Sequence, residues 1–362
     1  MNFIQSTNDS CLYIHNEKQM FLGVYVDDLP LVATQSDYQW FCSTLSKFFK
    51  ITDKGVLRRC LGIDVQQTVE NNILTDVIMS QSKYTTDLLT QFGYNNSKPV
   101  HTPAVPNTFL VSNMPDTEKS ITDVPTSNSE NITTVSVKSY PSLIGSLLWL
   151  ALQTRPEISQ AVSQLSRFVS NPSPAHLTAA KHLLRYLNGS RALGIHYSNK
   201  EKSTPLIYSD ATWASDPESS RSVQAYVILL YGGAVSWHCG IQKSVSLSTT
   251  ESEWFALSET CKESIYFKHA MSQLRFSGTQ QWTNNPMTIF EDNQAVIKIA
   301  VSGEPKHKHQ KHILVRLQYV REHVASKTIL PVYIPSADNV ADVLTKNLPR
   351  EPFERFRSIM LG

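Results

Sequence analysis

Apolar positions in the first hundred residues switch between strand-like runs and helical spacing. CLYIHN (11–16) and MFLGVYV (20–26) predict two strands, turned by NEKQ. Phe41, Leu45, Phe48 and Phe49 in YQWFCSTLSKFFKI recur at helical intervals and predict a helix. LRRCLGIDVQQTVENNILTDVIMSQ predicts two strands around ENN. SKYTTDLLTQFGY predicts a helix that Ser82 can cap and Gly93 ends. Residues 99–139 lose the pattern: they are rich in Pro, Ser, Thr and Asn, and predict a linker or surface excursion. Residues 140–200 regain i, i+3/i+4 spacing in three segments punctuated by Pro156, Pro172 and Gly189. From about 205, PLIYSDATW, AYVILLYGGAVSW and KSVSLST read as strands, and TESEWFALSETCKESIYFKHAMSQL as a long helix. MTIFEDNQ reads as a strand entering a helix near Ala295, and ILPVYIPS as the last strand.

The pattern divides the chain into 1–98, 99–139, 140–200 and 201–362, an α/β arrangement with no internal repeat. A length of 362 residues suits about two or three domains, and 41% apolar content supports sizeable cores. A net charge of +2 announces no nucleic-acid binder in bulk, so any basic surface is local. The five cysteines are scattered without a CxxC pair. That argues against zinc and disulfides, and for a reducing compartment. The first residues are too polar for a signal peptide, and no run of about 18 apolar residues predicts a membrane span. The expectation is a cytoplasmic or nuclear protein, not a secreted one.

Acids in apolar settings change this picture. FLGVYVDDLPLV places Asp27 and Asp28 inside a strand-like run, although a lone buried carboxylate costs several kcal/mol. They sit either in an exposed turn or against a positive partner such as a metal ion. Further along, Asp210 ends the strand LIYSD, Glu251 opens a helix, Asp292 ends TIFED and Asp342 starts a terminal helix in NVADVLTK. Strand ends and helix starts can converge at one sheet edge, where four carboxylates need a compensating cation. An all-oxygen set suits Mg²⁺ or Mn²⁺, and a pair of such ions supports phosphodiester cleavage. The alternative is four unrelated caps and turn residues.

The segment YSDATWASDPESSRSVQAYVILLYGGAVSWHCGIQKSVSLSTTESEWFALSE resembles the ribonuclease H domain of copia-type LTR-retrotransposon Pol polyproteins. EDNQAVIKIA, KHKHQKHILVRLQYVRE and YIPSADNVADVLTKNLP follow in the family's order. Upstream, FLGVYVDDLPLVAT is similar to the reverse transcriptase palm hairpin. LGIDV, QSKYTTDLL, YPSLIGSLLWLALQTRPEISQAVSQLSRF and HLLRYLNGS resemble the thumb and connection. The resemblance implies a truncated palm and thumb, a helical connection, and a ribonuclease H-like mixed sheet of about five strands with helices on both faces. It implies that Asp210, Glu251, Asp292 and Asp342 are catalytic ligands of two Mg²⁺ or Mn²⁺ ions. Glu253 is left outside the site, and Asp216 and Asp338 are read as nearby acids. Asp27 and Asp28 match the palm's YxDD pair as vestigial polymerase ligands. The palm's upstream Asp and the fingers have no counterpart here, and Pro30 interrupts the return strand. Reverse transcription by this chain is therefore not expected.

The implied substrate is the RNA of an RNA–DNA hybrid, with other Pol fragments as further partners. Ser222 and Gln224 in RSVQAY, and Lys308, Lys311, His312 and Arg316 in and after KHKHQKH, are the expected nucleic-acid contacts. At Ala225 the family usually has Gly, and the added methyl threatens a close approach to the sugar backbone. Trp213 and Trp237 read better as core than as base-stacking residues. The alternative function is a catalytically inactive, nucleic-acid-binding retrotransposon remnant.

Overall fold

The computed structural model describes residues 1–112, 133–274, 280–302 and 311–362. Its strands are β1 Ile4–Gln5, β2 Leu12–His15, β3 Met20–Gly23, β4 Leu31–Val32, β5 Arg59–Cys60, β6 Ile63–Glu70, β7 Ile73–Ser80, β8 Gly194–Ser198, β9 Leu206–Thr212, β10 Val223–Leu230, β11 Gly233–Ile241, β12 Met287–Glu291 and β13 Ile329–Tyr333. The α-helices are α1 Gln35–Leu45, α2 Ser82–Phe92, α3 Tyr140–Gln153, α4 Ser159–Ser166, α5 Pro174–Gly189, α6 Thr249–Leu274, α7 Gln280–Thr283, α8 Gln294–Ser302, α9 Lys311–Ala325, α10 Asp342–Thr345 and α11 Arg350–Leu361.

Strands β1 to β4 form an antiparallel sheet in chain order. Pro30 precedes β4 and serves as an acceptor only: its carbonyl takes the Gly23 N–H at 2.9 Å, so its missing donor leaves no gap. The helix predicted through Phe49 stops at Leu45. Phe41 is buried, but Phe48 and Phe49 are 73% and 65% exposed, so no packing extends the helix through the second half of that spacing.

The second sheet runs β5-β6-β7-β8. Asn71 and Asn72 both take positive φ and turn β6 into β7, the two-residue connection that ENN foreshadows. Gly93 ends α2 at φ 76°, as expected, whereas the N-cap is Gln81 rather than Ser82. Strand β8 lies more than a hundred positions later in sequence, yet it pairs along β7 from Asp76↔Ser198 to Ser80↔Gly194. Gly194 is required here: a Cβ would lie 2.4 Å from the Met79 carbonyl oxygen.

The third sheet has the order β11-β10-β9-β12-β13. Strands β9, β10 and β11 are antiparallel neighbours; β12 and β13 add in parallel. Tyr231 and Gly232, both at positive φ, make the β10–β11 turn. This is the five-stranded mixed sheet that the resemblance implies. Alternation along the strands commits each face to its own layer. Ile207 and Ile228, cross-strand partners, pack with Trp254, Leu257 and Cys261 of α6 and Val320 of α9. Their neighbours Tyr208 and Val227 join the core that includes Leu147 of α3, Leu165 of α4, Leu184 of α5 and Phe356 of α11. Helices therefore cover both faces. KSVSLST is not a strand: its polar groups are used locally, with the Ser246 hydroxyl donating to Gln242 and the Ser246 carbonyl accepting from Trp213. Among the described residues no helix is long and apolar enough to cross a membrane.

Candidate metal centre

Strand β9 is the middle of the third sheet and carries Asp210 two residues before its end. Asp210 is 1% exposed, and burial pushes its carboxyl above the ordinary range against the pull of Lys346 and Thr345. The Thr345 hydroxyl donates to Asp210 Oδ2. Asp292 follows the last residue of the adjacent parallel strand β12 and is half-buried. Asn293 fixes that bend: its N–H donates to Glu291 Oε1 at 3.1 Å, and its Oδ1 accepts from the Ala295 and Val296 N–H groups at the start of α8.

The helical carboxylate is Glu253, not the expected Glu251. One oxygen each from Asp210, Glu253 and Asp292 lies within 4.8 Å of the others. Two helical residues two apart point about 200° away from each other, so one helix cannot aim both at one point. Glu251 turns back to its own loop and accepts the Leu247 N–H at 2.8 Å. Glu253 heads the stripe Glu253–Leu257–Cys261 that faces the sheet. That four-residue spacing was the available sequence signal. Burial, reinforced by Glu291, Asp210 and Asp292, pushes the Glu253 carboxyl well above the ordinary range, and its Oε2 is buried without a partner.

Asp342 opens α10 and meets Asp210 through a shared cation. Lys346 Nζ is 2.6 Å from Asp342 Oδ1 and 3.5 Å from Asp210 Oδ1. Burial and the Asp210 charge raise the Asp342 carboxyl to about 7, although Lys346 pulls it down. Burial alone would lower the Lys346 ammonium; Asp210 and Asp342 more than offset this and hold it above the ordinary lysine range. Two further residues escaped the sequence reading. Glu291 is fully buried beside Asp292, and burial pushes its carboxyl well above the ordinary range. Asn339 is buried and donates from Nδ2 to the Ser209 carbonyl at 2.9 Å, while its own carbonyl accepts the Asp342 N–H at 3.1 Å. It thereby fixes the turn carrying Asp342 against the strand carrying Asp210.

This arrangement fits a divalent cation. The donors are all oxygen, they converge in a pocket where mutual repulsion and desolvation disfavour charge, and the buried Glu253 Oε2 and Glu291 Oε2 have no hydrogen-bond partner.

Residues 1–106 match a family model described as reverse transcriptase (RNA-dependent DNA polymerase). The retrovirus-related Pol polyprotein from transposon TNT 1-94 of Nicotiana tabacum is 32% identical over 364 residues, covering 99% of this chain and 26% of that protein. The putative transposon Ty5-1 protein of Saccharomyces cerevisiae is 32% identical over 270 residues, covering 72% of this chain and 76% of its own length. The chain belongs to the copia-type retrotransposon Pol family. It spans about a quarter of the length of the plant Pol polyproteins that it matches. The crystal structure of RNase H1 from Halobacterium salinarum aligns with 39% of this chain and 93% of its own, at 17% identity and a TM-score of 0.28.

In this Pol segment the remaining candidate residues separate. Asp27 and Asp28 lie in a tight turn closed by reciprocal Tyr25–Asp28 backbone bonds, with Val26 at φ 50°. Asp27 is exposed, and Asp28 makes a 3.4 Å surface pair with Lys54. Among the described residues no third potential ligand joins them. Ser222 is fully buried and its hydroxyl accepts the Ala214 N–H at 3.1 Å, so its side chain is used internally rather than offered to a ligand. Gln224 is half-buried on β10. The Ala225 methyl is 2% exposed and packs in the core, away from any approaching backbone. Arg316 donates to Glu259 at 2.6 Å and Ser258 at 2.9 Å and lies over Phe255, tying α9 to α6. Lys308 falls outside the described residues, as do the side chains of Lys311 and His312. Trp237 donates to the Ala151 carbonyl and packs against the helical core, while Trp213 is 46% exposed.

Proposed function

We propose that this Pol segment hydrolyses the RNA strand of RNA–DNA hybrids with a divalent metal. The observation that carries the reading is the convergence of Asp210, Glu253 and Asp292, drawn from β9, α6 and the end of β12, within 4.8 Å. Asp210, Glu253 and Asp292 are the residues to hold one Mg²⁺ or Mn²⁺, and Asp210 with Asp342 the residues for a second. Bound there, such ions lower the pKa of water and neutralise charge on the departing oxygen.

The chain's own residues do the positioning. Thr345 orients one oxygen of Asp210, and Asn339 keeps the Asp342 turn against β9. Asn293 anchors the backbone on either side of the bend that presents Asp292. Discrimination of RNA from DNA rests on A-form shape and 2′-hydroxyl contacts rather than on base sequence. No role in this cleavage is assigned to the Tyr25–Asp28 turn.

The test is cleavage of an end-labelled RNA–DNA hybrid in Mg²⁺ by the parent and by Asp292→Asn. Loss of an outer-sphere partner alone typically costs about 10–100-fold. Loss of Asp292 is therefore expected to reduce the rate by at least about 100-fold while hybrid binding persists. A parent that binds hybrid without cutting it would replace this reading with that of a binding module.

A further inference from the structure

The acidic pocket has two halves that share Asp210. One consists of Asp210, Glu253 and Asp292, with one carboxylate oxygen of each within 4.8 Å of the others. The other consists of Asp210 and Asp342, and there the protein supplies its own cation: Lys346 Nζ sits 2.6 Å from one carboxylate and 3.5 Å from the other. Lys346 follows the last residue of α10 and reaches back four positions to Asp342, the residue that opens that helix.

A divalent ion such as Mg²⁺ needs carboxylate oxygens at about 2.0–2.1 Å. An ammonium 2.6 Å from Asp342 Oδ1 occupies that oxygen's coordination position until it leaves. It has somewhere to go: the Lys346 side chain is 34% exposed and can swing out toward solvent.

We propose that Lys346 is a resident cation of the Asp210–Asp342 half, so that the free protein takes up one divalent ion, at Asp210, Glu253 and Asp292, and admits a second only when the ammonium withdraws. This rests on the metal-dependent reading above and adds an order of occupancy to it. The lysine offsets part of the negative charge that Asp210 and Asp342 bring into the pocket. It also makes the second ion compete with a tethered charge, which discounts that ion's affinity in the absence of nucleic acid.

The experiment is Mn²⁺ titration of the full chain by calorimetry and electron paramagnetic resonance, on the parent, Lys346→Met, Lys346→Arg and Asp292→Asn. The expected result is one ion and an uncoupled Mn²⁺ signal for the parent and Lys346→Arg. Lys346→Met is expected to take up two ions, with the broadened signal of a close pair. Thermal melts establish that each variant is folded, and Lys346→Gln takes the place of Lys346→Met if the latter does not fold. Two coupled ions in the parent would overturn the inference and leave the nuclease reading intact; one ion in the folded Lys346→Met or Lys346→Gln protein would do the same. Mn²⁺ uptake indifferent to Asp292→Asn would instead remove the metal-dependent reading itself.

Discussion

Glu251 and Glu253 are equally buried, at 7% exposure, and differ only in where the helix points them. Glu251 holds the loop entering α6 through the Leu247 N–H; Glu253 meets Asp210 and Asp292. The two substitutions should therefore separate function from folding. Glu253→Gln is expected to lower hybrid cleavage by at least about 100-fold with little loss of stability, because its carboxyl is already disfavoured as an anion. Glu251→Gln is expected to retain cleavage within about tenfold and to lose about 1 kcal/mol of stability, the difference between a charged and a neutral acceptor for the Leu247 N–H. Hybrid-cleavage rates and denaturant melts on both variants decide this, and the reverse pattern would restore Glu251 to the site. The Glu253–Leu257–Cys261 spacing is visible in the sequence, but Glu251 is likewise followed four residues later by Phe255, and pattern alone does not rank the two.

At the scale of elements, β8 is the tie between the second sheet and the region that carries the acids. It returns from α5 to pair with β7, and seven residues separate it from β9. Its first residue admits no side chain, since a Cβ at Gly194 would fall 2.4 Å from the Met79 carbonyl oxygen and 2.6 Å from the Ser80 Cβ. Gly194→Ala is expected to destabilise the protein by about 1–3 kcal/mol or more through overpacking against backbone. It should also speed amide exchange selectively along the β7–β8 ladder. Unchanged exchange at Val77 and Met79 would show that the pairing tolerates the methyl. No local pattern in GIHYS marks it as the partner of a strand more than a hundred residues earlier, because antiparallel pairing depends on which edge is presented in space.

At the scale of the molecule, the described part of the polar 99–139 stretch is bound down by two histidines of α5. His176 Nδ1 accepts the Ser173 N–H at 2.9 Å while Nε2 contacts the Val111 carbonyl at 3.1 Å, and His182 Nε2 contacts the Thr102 carbonyl at 2.9 Å. One His176 nitrogen must accept and the other donate, so the ring is needed neutral. Burial lowers both histidines below their ordinary value. A depressed histidine stabilises the fold above its unfolded pKa, and that stability is lost as pH falls below about 6.5. Each histidine contributes at most about 1.4 kcal/mol per pH unit. The parent should thus lose thermal stability between pH 7 and 5.5, and His176→Gln, which has no proton to gain, should lose less. Parallel slopes for the two proteins would exclude His176 as the source.

Chain order and periodicity determined most elements of this protein: hairpins at NEKQ and ENN, three amphipathic helices after the polar stretch, and acids near strand ends and helix starts. These follow from backbone geometry and local burial, which act over a few residues. Tertiary structure alone decided which carboxylates meet. A helix turns about 100° per residue, so the choice of Glu253 over Glu251 depended on how α6 seats on β9 and β10. The entry of Lys346 between Asp210 and Asp342, and the Asn339 bond to the Ser209 carbonyl, depend on folding together positions more than a hundred residues apart. Desolvation and charge proximity, which shift the carboxyls and draw the lysine in, come into being only once those positions share one pocket.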